Sequence, residues 1–222
     1  MIPLRDTQRS YSKPVVTVLL IVANCVAFLY EMSLGPHARN YLIYSYGLVP
    51  DHFVPRSLVT SMFLHGGWLH IIGNMWFLWI FGDNIEDVLG HGKYLLFYLA
   101  CGVAAGLAHL VTNLGSPVPT VGASGAIAGV MGAYLVKFPR ARITTLVVLV
   151  VFLTTFDLPA FFVLAYWFLI QIFSGVGSVA SSHLTSQGVA WFAHVGGFLT
   201  GMLLILILPT SGAYQRRRSL PW

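Results

Sequence analysis

What most restricts this chain is how little charge it carries. Charged residues make up 9% of its 222 positions, whereas a soluble domain carries roughly 25%. So few cannot dress a water-facing surface, which argues against a soluble enzyme and for an integral membrane protein. The charges are also unevenly placed. Arg5, Arg9 and Lys13 outweigh Asp6 at one end, Arg216, Arg217 and Arg218 make the other end basic, and the body between is neutral. Basic tails on a neutral apolar body suit a lipid surface, and no nucleic-acid partner is expected. Cys25 and Cys101 lie in apolar runs, where a thiol behaves as a small buried hydrophobe, so no disulfide or metal framework is indicated.

Hydropathy predicts membrane spans over residues 15–30, 69–85, 94–112, 124–136 and 189–208. The first follows a basic flank with no small-residue cleavage site after it, and reads as a retained anchor. Residues 143–173 form an apolar run too long for one untilted crossing, interrupted by Asp157 and Pro159. A fifth span is placed at 159–173, with 143–156 as an interfacial or re-entrant stretch; two spans there are the alternative. Charge favours six. With six, the amino tail, the link bearing Lys137, Arg140 and Arg142, and the carboxyl tail all lie on the cytoplasmic side. The links 114–123 and 177–188, with only His183 to titrate, then face outward. The expected fold is an all-α membrane protein, a six-transmembrane helical bundle over residues 14–208 between basic tails 1–13 and 209–222. Residues 31–68 are too long for a simple link and too apolar for a solvated domain, and read as a folded loop lying partly in the outer interface.

Polar groups inside spans are costly and usually face a cavity or a partner. His70, Asn74, His109, Ser124 and His194 fall within the spans, all in the outer half of the bilayer. Asp157 lies on the opposite side, so a serine enzyme here would work with a Ser-His pair. Gly122, Gly125, Gly129 and Gly132 line one face of the fourth span, and Gly197 with Gly201 forms a small-residue face on the last; Gly102 and Gly106 do so on the third. Such faces let backbones approach closely and carry one span's polar group to another's. A serine hydroxyl needs an adjacent base, and a neutral imidazole suits neutral pH. Ser124 opens a helix, whose unpaired N–H groups point where an oxyanion would form. His70 and Asn74, four apart, share a helical face and can donate to the same oxyanion. Each residue also has a plainer reading: Ser124 as a cap, Asn74 as interhelical glue, His109 as a packed hydrogen-bonding residue, and His65 as structural. His65 and His70 are five apart, off one helical face, so no zinc site is expected.

The segments Gly122-Ala123-Ser124-Gly125, Ala193-His194-Val195-Gly196-Gly197 and His70-Ile71-Ile72-Gly73-Asn74 resemble the rhomboid intramembrane serine proteases, in order and spacing over nearly the whole chain. The resemblance implies a Ser-His dyad hydrolysing peptide bonds in or near transmembrane segments of other proteins. By it, Ser124 is the nucleophile and His194 the general base, and the Ser124 amide, Asn74 and His70 line the oxyanion site. Residues 31–68 match the family's membrane-embedded first loop, and Glu86 matches a structural acidic residue near the inner end of the second span. Two positions depart. A Trp-Arg pair of some members has Pro55-Arg56 as its nearest match. A tyrosine that some members place four residues after the serine, beneath the histidine, is Ala128 here, so either another aromatic holds His194 or its ring is looser.

The expected partners are transmembrane protein substrates and the lipid bilayer, with no cofactor or metal. Compact size and short tails suggest a prokaryotic plasma membrane, with an organellar one as the alternative, and the site is expected to open outward. The rival readings are a non-catalytic rhomboid-like binding or dislocation factor, and a small transporter.

Overall fold

A computed structural model of the chain describes residues 2–149, 152–180 and 190–218. Its helices are α1 (Val15–Ser33), α2 (Pro36–Tyr46), α3 (Ser57–Thr60), α4 (Trp68–Leu89), α5 (His91–Thr112), α6 (Ser124–Lys137), α7 (Ala160–Ala180), α8 (Trp191–Ile207) and α9 (Gly212–Arg218). The long helices α1, α4, α5, α6, α7 and α8 overlap the predicted apolar runs, while α2 and α3 lie in the first loop and α9 in the carboxyl tail. By length and composition alone, α1, α5 and residues 160–177 of α7 can cross a membrane. The helix α4 is as long but carries Asp83, Glu86 and Asp87 near its end, and α6 and α8 are shorter apolar helices. The fold is a mostly helical membrane bundle. Most of the expected outer link 177–188, His183 included, and the first residue of the expected last span lie outside the described residues.

At the centre stands α6, with Gly125 to Tyr134 buried without a break. The helices α4, α5 and α8 surround it, α1 packs on α4, and α7 lies against α8. Closest of all is the crossing of α6 and α8. A Cβ on Gly197 would run into the carbonyl oxygen of Gly125, and one on Gly201 into that of Gly129. Bare glycine faces permit this backbone-to-backbone approach.

Among its described residues, the stretch 143–156 is not helical, which sets aside a second helical span there. Strands β2 (Arg142–Leu149) and β3 (Phe152–Pro159) pair antiparallel, and β1 (Ile2–Asp6) of the amino tail pairs with β2, giving the sheet order β1-β2-β3. Ile143, Thr144, Thr145 and Val147 are β-branched, and such side chains favour the pleated surface over the helix. Hydropathy registers only that the run is apolar, which does not separate strand from buried helix. Across the pair, Thr144 Oγ1 donates to Asp157 Oδ1 at 2.7 Å. Trp76 Nε1 donates to the Pro3 carbonyl at 2.7 Å, tying the tail to α4.

Asp6 ends that first strand and accepts hydrogen bonds from Tyr134 Oη and from Asn84 Nδ2. Burial raises its pKa from 3.8 to about 6; the Tyr134 bond pulls it back and the nearby Asp83 charge adds to the rise. Between those values the folded state holds a proton the unfolded chain has released, so stability falls as pH rises through that window. The Asp6→Asn variant is therefore expected to gain on the wild type in thermal midpoint between about pH 4 and pH 7. A constant difference between the two across that range would contradict the assignment.

Glu86, fully buried, holds the start of α1. Its carboxylate accepts from the Val16 and Thr17 amides, both at 2.8 Å, from Thr17 Oγ1 at 2.7 Å, and meets His91 Nδ1 at 2.6 Å. Helix-start amides lack intrahelical partners and favour a negative group. The Glu86→Gln variant turns one acceptor into a donor facing donors, and is expected to lose about 2 kcal/mol of unfolding free energy. Unfolding in a graded detergent series measures it, and an unchanged midpoint would count against the clamp.

Candidate active site

The site is assembled from the N-terminal ends of α4, α6 and α8 and the middle of α7. Ser124 is the first residue of α6, and the turn before it is set by Gly122, whose φ of +126° lies where other residues are strained. That turn is anchored to the first loop. The Gly122 amide donates to the Ser61 carbonyl at 2.9 Å, and Leu48 and Thr120 exchange backbone hydrogen bonds at 2.9 and 2.8 Å. His109 holds the same link from α5, with its Nε2 at 2.8 Å from Thr120 Oγ1 and its Nδ1 at 3.2 Å from Asn113 Nδ2. It packs and hydrogen-bonds away from Ser124, as its plainer reading has it.

Ser124 Oγ lies 2.8 Å from His194 Nε2, although the two residues are 70 apart in sequence. The close α6–α8 crossing brings them together, because Gly125 and Gly197 flank them at the point of nearest approach. The imidazole's other nitrogen, Nδ1, lies 2.7 Å from Gln171 Oε1 on α7. Trp167, one turn earlier on α7, lies over the same ring with centroids 5.7 Å apart and planes 38° apart. Another aromatic therefore holds His194 in place of one at Ala128: Trp167, on a different helix. Asp157 is in the sheet beyond the far end of α6, bonded to Thr144, and takes no part here.

His70 and Asn74 stand on α4, facing the Gly122 turn. A Cβ on Gly122 would come within 2.7 Å of His70 Nε2 and 3.5 Å of Asn74 Nδ2. Asn74 is buried and its Nδ2 has no hydrogen-bond partner among the described residues. The Gly66 amide donates to His70 Nδ1 at 3.4 Å, which leaves the hydrogen on Nε2. Two donors from α4 and the first-turn amides of α6 thus converge beside Ser124 with capacity to spare. An unpaired buried donor is costly, and a group that develops negative charge there would satisfy it.

His65 stays structural in its contacts. It is fully buried in the first loop, its amide donates to Glu31 Oε2 at 2.9 Å, and its ring meets that of His70 edge-on at 5.2 Å. Burial, with the neighbouring His70, lowers its pKa to about 4, so it is neutral at physiological pH. Of the expected site residues, the structure gathers Ser124, His194, His70, Asn74 and the glycines Gly122, Gly125, Gly129, Gly197 and Gly201 into one region. Gln171 and Trp167 join them unannounced. The available signal for Gln171 was its amide within an otherwise apolar span, a cost of the same kind that singled out Asn74.

Residues 54–211 match the family model described as the Rhomboid domain. The chain is similar to Rhomboid protease GluP of Bacillus subtilis (strain 168), 28% identical over 218 residues, covering 92% of this chain and 37% of the relative. It is also similar to RHOMBOID-like protein 6, mitochondrial, of Arabidopsis thaliana, 32% identical, covering 73% of this chain and 47% of the relative. Rhomboid protein 1, mitochondrial, of Saccharomyces cerevisiae is 27% identical, covering 96% of this chain and 58% of the relative. The chain thus spans roughly half the length of these curated relatives, from 37% to 58%. Two of the three names carry the word mitochondrial, so they lend no support to a prokaryotic plasma membrane in particular.

Proposed function

The chain belongs to the rhomboid family, and we propose that it is an intramembrane serine endopeptidase working through the pair Ser124 and His194. The observation that carries this reading is the 2.8 Å approach of Ser124 Oγ to His194 Nε2, with a buried donor on α4, Asn74 Nδ2, that has no partner among the described residues. With its lone pair on Nε2, His194 takes the hydroxyl proton as Oγ attacks the scissile carbonyl. The oxyanion of the tetrahedral intermediate is met by the Ser124 amide, Asn74 Nδ2 and His70 Nε2. The imidazolium then gives its proton to the leaving amine, the peptide bond breaks, and Ser124 is left acylated. Water, deprotonated by the same imidazole, hydrolyses the ester and restores the hydroxyl. Apart from the substrate and water, these steps use only the chain's own residues.

The substrates are segments of other membrane proteins, in or near the bilayer. A transmembrane helix hides its scissile carbonyls in its own hydrogen bonds, so the substrate must unwind locally, which favours small, helix-weakening residues at the cut. The basic tails lie on the inner side and the Ser124 end of α6 opens toward the other. A fluorophosphonate probe, which phosphonylates only an activated serine, tests the reading. The purified protein is expected to be labelled and the Ser124→Ala variant not. An unlabelled protein, in lipid as in detergent, would favour a non-catalytic rhomboid-like protein.

A further inference from the structure

We propose that Gln171 is a positioning residue for His194: its side-chain carbonyl keeps the imidazole hydrogen on Nδ1 and so keeps the Nε2 lone pair on Ser124. The proposal rests on the dyad read above. It makes the site a relay of three side chains from three helices, Gln171 on α7, His194 on α8 and Ser124 on α6.

The geometry is specific. Gln171 Oε1 to His194 Nδ1 is 2.7 Å and His194 Nε2 to Ser124 Oγ is 2.8 Å, so both ring nitrogens are engaged at once. A carbonyl oxygen only accepts, which puts the hydrogen on Nδ1; a neutral imidazole carries one, so Nε2 is bare. Free imidazole settles its own tautomer, and in a protein the choice follows the partner of the other nitrogen. Without Gln171, a hydrogen on Nε2 would point at Ser124 Oγ, and the ring could accept no proton there.

A buried amide in an apolar span is costly unless bonded, and Gln171 is 5% exposed. Among the described residues its Nε2 makes only a long 3.4 Å contact, to the Trp167 carbonyl within its own helix. The short bond is therefore the one to the imidazole. Ala128 leaves α6 with nothing to lay against the ring, and α7 supplies both supports: Trp167 restrains the ring's tilt and Gln171, one turn on, its rotation and tautomer.

The test compares Gln171→Leu, which keeps the bulk and removes the acceptor, with Gln171→Glu, which keeps an acceptor. Both are made in the full chain, and fluorophosphonate labelling rates and thermal midpoints are measured. Gln171→Leu is expected to label about tenfold more slowly or worse, the value of one oriented hydrogen bond, at an unchanged or higher midpoint. Gln171→Glu is expected to recover most of the rate. If Leu labels as fast as the wild type, or Glu falls as far as Leu, the proposal is wrong. Nitrogen-15 spectra of histidine-labelled protein decide the same point without catalysis, with the His194 signals identified by their loss in His194→Ala. Nδ1 should be protonated and Nε2 bare in the wild type, and the hydrogen should shift toward Nε2 in Gln171→Leu. Identical tautomers in the two would overturn the proposal. An unlabelled wild type would instead count against the dyad, leaving the spectra to judge Gln171.

Discussion

Replacing His194 with alanine is expected to slow cleavage of a transmembrane reporter by about 10³- to 10⁴-fold. The Ser124 hydroxyl would then have to lose its proton to water in a site that the bundle keeps apolar, although Ser124 itself would be intact. The Ser124→Ala variant should be slower still, because no other side chain in the site can take up the acyl group. The double variant should be no worse than Ser124→Ala alone. Residues that act as one unit lose the same function once, whichever is removed, so their effects do not add. The measurement is the rate of product formation from a single-span reporter in liposomes, with matched protein and thermal midpoints alongside. Retention of activity within tenfold in His194→Ala would assign the base elsewhere.

The second large effect is structural. The Gly201→Val variant is expected to lose more than about 3 kcal/mol of stability, enough to unfold the bundle or force α8 off α6. Any Cβ at that position meets the carbonyl oxygen of Gly129, and a β-branched side chain adds two methyl groups to the collision. A flexible neighbouring side chain could swing aside, but a helix backbone cannot without carrying its helix with it. The two helices would part, and the same displacement would carry His194 away from Ser124. Gly73→Ala provides the contrast, since a Cβ on Gly73 meets nothing within 4 Å. It should be neutral or gain up to about 1 kcal/mol from helix propensity. Thermal and detergent unfolding of the two variants, side by side, checks both; equal midpoints would mean that the crossing tolerates bulk.

Expecting Ser124 and His194 as a pair required no coordinates. Each is a polar group whose presence in a span calls for a reason, and each lies beside glycines that invite another backbone. Asn74 and His70 share a helical face by spacing, and the family resemblance gave them the oxyanion role. The same reasoning passed over Gln171, because a lone amide in an apolar run has many uses and no motif surrounds it. Trp167 was illegible for a related cause. One tryptophan among the aromatics of residues 160–173 does not announce which of them faces the histidine, since that depends on how α7 is rotated against α8.

The sheet marks a different limit. Residues 143–156 satisfy a hydropathy criterion, and hydropathy measures only whether a segment prefers lipid to water. Whether it coils or pairs depends on a partner, and that partner is the strand Ile2–Asp6, some 140 residues away in the chain. The amino tail read as a basic extension therefore forms part of the fold, held by Trp76, Asn84 and Tyr134.

By itself the sequence determined the membrane class and the places of the long apolar helices, and it singled out Ser124 and His194 as a candidate pair. A bilayer demands long apolar segments and penalises every polar exception, and both demands act locally along the chain. Tertiary structure alone decided the crossing of α6 and α8, the support of His194 by α7 and the pairing of the amino tail. Those depend on helix rotation, crossing angle and long-range register, which arise only when distant segments compete for the same neighbours.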